Sequence, residues 1–100
     1  MEKLKGTQRR FLRSLANRMK PVVHIGKSGL TKAVFSAIEE SLENHELIKV
    51  RFLEFKDQKK ELSAEIEKSC DCEMVGMVGH VALFYRRQTD PQKQTIQLPN

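Results

Sequence analysis

The sequence contains no tryptophan, one tyrosine and only two cysteines, Cys70 and Cys72. A pair separated by one residue does not match the C-x₂₋₄-C spacing of structural zinc sites, and there is no second pair to complete a tetrahedron. We therefore expect reduced cysteines, with Cys70 in the core, and neither a metal ion nor another cofactor.

Long apolar segments are also missing. No run approaches the length needed to cross a bilayer, and no apolar segment with a cleavage site follows the basic amino terminus. The composition, with 39% hydrophobic and 31% charged residues, is that of an ordinary globular protein. We expect the 100 residues to form one domain around one core, in the cytoplasm and without a membrane partner.

Recognised catalytic motifs are absent as well. Gly26-Lys27-Ser28 is similar to the end of a P-loop, but that motif needs a glycine five residues before Gly26, where the chain has Pro21. His24 falls in a short apolar run and is interpreted as a packing residue. Nothing supplies an oxyanion loop or an orienting third group for a cysteine-histidine pair. We expect no enzymatic activity and no small-molecule substrate.

Positive charge is present and is concentrated at the start of the chain. Residues 1–20 hold seven Lys or Arg and one acid, whereas residues 21–100 hold 11 basic and 12 acidic residues. A basic segment on a compact domain is typical of a protein that binds a polyanion, most often nucleic acid. The alternative is a solvated helix face that binds nothing.

Hydrophobic periodicity predicts three helices, over about residues 8–19, from a cap at Thr31 to about residue 44, and over about residues 58–70. Thr7 is the candidate cap of the first. Apolar and β-branched runs predict four strands, at residues 22–25, 47–55, 74–78 and 81–85.

The predicted order αβαβαββ indicates an α/β fold of two layers with a mixed four-stranded sheet, closed by a final hairpin at Gly79-His80. Residues 1–87 form the predicted domain. Residues 88–100 form a polar, extended tail that docks through Ile96 and Leu98 or stays loosely attached.

The segment Gly26-Lys27-Ser28-Gly29 lies between the first strand and the second helix. Its glycines permit positive φ and close approach of a ligand, and the helix start at Thr31 leaves backbone N–H groups without partners. A phosphate oxygen suits such a site, and the loop could hold a sugar-phosphate backbone without reading bases. The alternative is an ordinary turn into a helix.

The RRM pattern of interleaved aromatic residues is absent, so recognition is expected to rest on backbone and shape. Tyr85 could stack on a base or belong to the core. Arg9 and Arg13 lie within about 40° of each other on an ideal helix, away from its apolar side, and predict a phosphate-facing stripe. Lys20 joins that stripe if the helix continues to Pro21.

Several segments together are similar to those of the YhbY family, the free-standing bacterial form of the CRM domain (chloroplast RNA splicing and ribosome maturation). The two most specific are GKSGLT, residues 26–31, and HELIKV, residues 45–50. The chain departs from the family where Gly79-His80 replaces a common Gly-Lys, and where Arg87 replaces a proline. The other matching residues are Leu15-Ala16, Lys20-Pro21-Val22-Val23, Leu83 and Tyr85-Arg86.

The resemblance implies a fold similar to the C-terminal domain of translation initiation factor three. It also implies a monomeric RNA-binding protein that associates with ribosomal RNA in precursors of the large ribosomal subunit and assists their assembly. A basic DNA-binding protein that uses the first helix is the alternative. The residues predicted to contact RNA are Gly26, Lys27, Ser28, Gly29, Thr31, Lys32, Arg9, Arg13, Lys20, Lys49, Arg51 and Arg86.

Overall fold

The computed structural model describes residues 2–100. Its elements follow the predicted order αβαβαββ. Two short 3-10 helices lie at Lys56–Gln58 and Pro91–Lys93. The helices are α1 (Gly6–Ala16), α2 (Lys32–His45) and α3 (Lys59–Cys70), and the strands are β1 (Val23–Ile25), β2 (Leu47–Phe52), β3 (Glu73–Val78) and β4 (Val81–Tyr85).

The four strands form one mixed sheet in the order β1-β2-β4-β3, which confirms the predicted sheet. β1 and β2 are parallel, as a helical crossover requires, with Val23 opposite Val50. β4 is antiparallel to both β2 and β3. The β3–β4 connection turns at Gly79, whose φ of 59° favours glycine.

Side chains alternate between two apolar clusters because successive strand residues point to opposite faces. Ile48 and Phe84 belong to the larger cluster, beneath α2 and α3. Leu47 and Tyr85, their chain neighbours, belong to the smaller cluster with Leu12 of α1. Helices therefore lie on both faces, and α1 adds a partial third layer to the two predicted from the sequence.

The predicted span of the first helix was wrong at both ends. Lys5, not Thr7, precedes the first helical residue. The helix stops at Ala16, and turns follow it in which the N–H of Asn17 donates to the carbonyl of Ser14 and that of Met19 to the carbonyl of Ala16. Lys20 therefore lies outside α1 and does not extend the predicted stripe.

The predicted second strand was too long. The N–H groups of Leu53 and Glu54 both donate to the carbonyl of Ile25 in β1, at 2.9 and 3.2 Å, so the alternating direction of successive N–H groups is lost at Glu54. Phe55 then takes a left-handed conformation with φ 56° and ψ 36°. The chain turns at this point into the short 3-10 helix before α3.

The segment after β4 lies on the domain in the structure. Ile96 and Leu98 pack against the smaller apolar cluster. The side chain of Gln8 donates to the carbonyl of Pro99 at 3.0 Å, which joins the tail to α1. The division of the chain after residue 87 stays a prediction.

Candidate nucleic-acid interface

Three connections meet at one end of the sheet. The loops after β1, β2 and β3 lie together because these strands run in the same direction. The N–H of Phe52 donates to the carbonyl of His80 at 2.8 Å, which joins the end of β2 to the hairpin. The bonds of Leu53 and Glu54 to Ile25 join it to the loop after β1. We call this end the loop end.

The Gly26–Gly29 loop is a tight turn in the structure. The N–H of Gly29 donates to the carbonyl of Gly26 at 3.0 Å, and Gly29 has a φ of 67°. An L side chain is strained at this angle, so position 29 requires glycine. Lys27 and Ser28 lie at the tip of the turn and are exposed.

Thr31 begins α2 as the sequence predicts. Its hydroxyl accepts a hydrogen bond from the N–H of Val34 at 3.1 Å, while its own N–H donates to the carbonyl of Gly29. The first N–H groups of a helix have no intrahelical acceptor, so those of Lys32 and Ala33 are left for an external one. The positive end of the helix dipole lies at the same place and favours an anion.

Cations from the connection between β2 and α3 lie at the loop end, beside the β3–β4 hairpin. Lys59 donates a hydrogen bond of 2.6 Å to the carbonyl of Gly79, and its Nζ lies 3.2 Å from Nδ1 of His80. Desolvation and the positive charges of Lys59 and Lys56 lower the pKa of His80. Two acids, Glu54 and Asp57, lie in the same connection. The cations nevertheless make this an electropositive edge beside the Gly26–Gly29 loop.

The two residues of the predicted basic face of β2, Lys49 and Arg51, have different environments. Lys49 is half-buried, and its Nζ donates to the carbonyl of Met19 at 2.8 Å. Arg51, two residues nearer the loop end, is exposed and lies in register with His24 of β1. His24 was predicted to be a packing residue, but its side chain is exposed. The alternation in a three-residue edge strand places it on the open part of the sheet face.

The guanidinium groups of Arg9 and Arg13 each donate a hydrogen bond to a residue of β3. Arg9 donates to a carboxylate oxygen of Glu73 at 3.3 Å and to the carbonyl of Leu4 at 2.7 Å. Arg13 donates to the carbonyl of Val75 at 2.9 Å. These bonds hold α1 on the sheet, and the phosphate contacts of the two arginines stay a prediction.

Other cations of the amino-terminal segment make no such contacts. Arg10, Arg18 and Lys20 are exposed, and none of them forms a hydrogen bond or ion pair with another residue of the described range, 2–100. The predicted stripe consists of Arg9, Arg13 and Lys20. Within residues 2–100, only Lys20 of these three therefore has a side chain without a hydrogen-bond partner.

Arg86 lies at the opposite end of the sheet from the loop end. Its guanidinium pairs with Glu39 at 2.8 Å and with Glu43 at 3.3 Å, and it donates to the carbonyl of Cys70 at 2.9 Å. The structure does not bring it near the Gly26–Gly29 loop. Tyr85 beside it is 1% exposed, so this tyrosine belongs to the core and offers no ring surface to a base.

Both cysteines are free and buried. Burial raises the pKa of Cys70 to about 11 and that of Cys72 to about 12. Thiols of this kind are poor nucleophiles at neutral pH. Across residues 2–100, no three His, Cys, Asp or Glu side chains are grouped closely enough to hold a metal ion.

The β2–α3 connection adds a residue to the site that was not predicted from the sequence. Phe55 was not considered for the site, although it is exposed and its ring lies beside Gly29. An aromatic residue just after a strand, followed by Lys56, was the available signal. The end of β2 at Phe52, which brings the ring to the loop, coincides with a reversal of the apolar alternation at Leu53 and Glu54.

Comparison with known proteins agrees with this architecture. The model of the CRS1/YhbY (CRM) domain matches residues 4–86. The chain is therefore a member of the CRS1/YhbY (CRM) domain family, which confirms the resemblance found in the sequence.

Two similar proteins match this chain over nearly their whole length. A Haemophilus influenzae protein named RNA-binding protein is 36% identical over 100 residues, covering 99% of this chain and 98% of its own length. YqeI of Bacillus subtilis, named a probable RNA-binding protein, is 32% identical over 97 residues, covering 96% and 99%.

A solved structure shares the fold. The solution structure of SAV1595 from Staphylococcus aureus, described as a hypothetical protein and a candidate RNA-binding protein, matches with a TM-score of 0.82 and 38% identity. The match covers 97% of this chain and all of that one. Between residues 2 and 100, no helix combines the length and apolar character that a membrane span requires.

Proposed function

We propose that this protein binds RNA at its loop end and has no catalytic activity of its own. The observation that supports this most directly is the geometry of the Gly26–Gly29 loop, where a left-handed glycine and an open helix start surround an exposed lysine. Backbone N–H donors of this kind hold a phosphate oxygen irrespective of the base attached to it.

Side chains around the loop extend the surface along the nucleic acid. The exposed side chains are those of Arg51 and His24 on the open sheet face, Lys56 in the first 3-10 helix and Lys32 at the start of α2. The lysines and Arg51 could each neutralise one phosphate, so binding is expected to weaken steeply as salt rises. The names of the similar proteins favour RNA over DNA as the polyanion.

We further propose that the RNA is ribosomal RNA in precursors of the large ribosomal subunit, and that the protein assists their assembly. This assignment rests on the family resemblance of GKSGLT and HELIKV. Its test is sedimentation of the protein with cell extract on a sucrose gradient. Comigration with precursor particles but not with mature subunits is expected, and comigration with neither would contradict the assignment.

RNA binding itself is tested by titrating the protein with a structured ribosomal RNA fragment and with duplex DNA of equal length. Lys27→Glu is expected to weaken RNA binding, whereas Lys93→Glu makes the same charge change on the tail and is expected to have little effect. Tighter binding to duplex DNA than to RNA would support the alternative of a DNA-binding protein. Equal effects of the two variants would show that only total charge matters.

A further inference from the structure

Phe55 combines exposure with an unfavourable backbone conformation. Its side chain is 42% exposed, and its φ of 56° lies in the left-handed region, which bulky residues rarely adopt. Such conformations persist where the surrounding structure imposes them, and they cluster at functional sites. Neither apolar cluster includes this phenylalanine among its members.

The ring of Phe55 lies against the Gly26–Gly29 loop. A Cβ atom at position 29 would be 3.5 Å from Cε2 of Phe55 and 3.8 Å from its Cζ, so glycine brings the backbone to the edge of the ring. Lys56, the next residue, is exposed and adds a positive charge. An aromatic surface thus adjoins both an open set of N–H donors and a cation.

We propose that the exposed ring of Phe55 stacks on the base of an unpaired nucleotide whose phosphate is held by the Gly26–Gly29 loop. The inference rests on the proposed RNA binding and narrows its ligand to RNA with a loop, bulge or single-stranded segment. A base within a helix is already stacked on its neighbours, whereas an unpaired base offers a free face to an aromatic ring. Stacking of this kind tolerates any base, since each has a π surface.

The absence of tryptophan makes a direct test possible. Phe55→Trp introduces a single tryptophan at the ring position, which can be excited selectively over Tyr85, and Leu53→Trp places the same fluorophore two residues earlier, at a side chain that is 47% exposed. Titration with a hairpin RNA that has an unpaired loop is expected to quench the fluorescence of the Phe55→Trp protein strongly and that of the Leu53→Trp protein little. A fully paired RNA of equal length is expected to quench neither. Equal quenching of both variants, or by both RNAs, would overturn the proposal.

Affinity supplies the second test. Phe55→Leu keeps an apolar contact with Gly29 but removes the π surface, so it is expected to weaken binding of the hairpin by about tenfold, as loss of one stacked base would. Binding of fully paired RNA is expected to change little, and a thermal melt shows that the variant is folded. Unchanged hairpin affinity in a folded Phe55→Leu protein would overturn the proposal.

Failure of the stacking inference can be told apart from failure of the proposed function. If the wild type binds neither RNA, the function itself is wrong. If the wild type binds RNA and Lys27→Glu weakens that binding while Phe55→Leu does not, the loop holds phosphate and the ring stacks on nothing. The second result overturns the inference about Phe55 and leaves RNA binding in place.

Discussion

The carboxylate of Glu46 accepts a hydrogen bond of 3.0 Å from the backbone N–H of Ile96, which lies 50 residues further along the chain. The same oxygen accepts from the N–H of Thr95 at 2.7 Å, and the other oxygen accepts from the N–H of Gln88 at 2.9 Å. The side chain is 1% exposed at the end of α2. One buried acid therefore fastens the tail to the domain.

Replacing this acid with its amide is expected to destabilise the protein. Glu46→Gln removes the charge from four hydrogen bonds, three from backbone N–H groups and one from the Thr95 hydroxyl, and puts an NH₂ group where an acceptor is needed. Bonds to a buried charge contribute more than neutral ones, so we expect a loss of about 2 kcal/mol in the free energy of unfolding. Chemical denaturation measures the loss.

Glu40→Gln is the matched control, since Glu40 is exposed on the same helix. Hydrogen exchange should become faster at Gln88, Thr95 and Ile96 in the Glu46 variant only. Equal stability of the two variants would show that the tail contributes nothing through this carboxylate.

The contribution of Glu46 also predicts a dependence on pH. Burial alone would raise the pKa of its carboxyl, but hydrogen bonds from Gln88, Thr95 and Ile96 outweigh burial and lower the pKa below its ordinary value of 4.5. An acid with a lowered pKa in the folded state stabilises above its unfolded pKa, and that stability is lost as pH falls through the folded pKa. The stability difference between wild type and Glu46→Gln should therefore be full at pH 7 and shrink below about pH 4.

A pH series of unfolding curves on both proteins measures this difference. A constant difference between neutral and strongly acidic pH would mean that the carboxylate charge does not contribute.

Geometry and charge make separable contributions in the Gly26–Gly29 loop. Gly29→Val forces a β-branched residue to a φ of 67° and should displace the N–H donors, so we expect it to weaken RNA binding by more than about tenfold. Lys27→Ala should cost one phosphate contact, about fivefold in affinity, and lower the salt dependence by about one phosphate. Fluorescence anisotropy at several salt concentrations measures both effects.

Circular dichroism and a thermal melt must accompany these titrations, because the strained Gly29 variant also loses stability. Normal binding by a folded Gly29→Val protein would mean that the loop is an ordinary turn.

The cations of the amino-terminal segment should have two different roles: the exposed ones contact RNA, and those bonded to β3 stabilise the fold. Arg10→Glu with Arg18→Glu is expected to weaken binding of all RNA sequences alike and to leave the melting temperature nearly unchanged, because both side chains are exposed. Arg13→Ala is expected to lower the free energy of unfolding by about 1 kcal/mol through the lost bond to the Val75 carbonyl.

Melting curves and RNA titrations on both variants decide between the two roles. If Arg13→Ala is as stable as the wild type, the hydrogen bond of Arg13 to β3 contributes nothing to the free energy of unfolding. The guanidinium of Arg13 in the wild type could then turn toward phosphate.

Residues that act through local patterns could be predicted from the sequence. Thr31 was placed as a cap because its hydroxyl needs only the N–H three residues ahead, and the β2 alternation assigned Ile48 and Val50 to one face. Glu46 could not be assigned, since its partners lie 42 to 50 residues away and nothing in the sequence links them.

The errors at the site have two causes. The apolar alternation of β2 holds to Phe52 and reverses at Leu53 and Glu54, and the predicted span to residue 55 passed over this local break. Arg9 and Arg13 were expected to face solvent together because they share one side of α1. The sheet beneath that side, with Glu73 and Val75 as acceptors, was not visible from the helix alone.

The hydrogen bond of 3.0 Å from the side chain of Gln8 to the carbonyl of Pro99 places the tail beside α1, on the side of the sheet that α1 covers. A circular permutation could therefore join residues near these two by a short linker that does not cross the sheet. New ends opened between α3 and β3 would leave the loops after β1 and β2 uncut. In such a permuted protein, the segments would be synthesised in a different order and would still form the same surface.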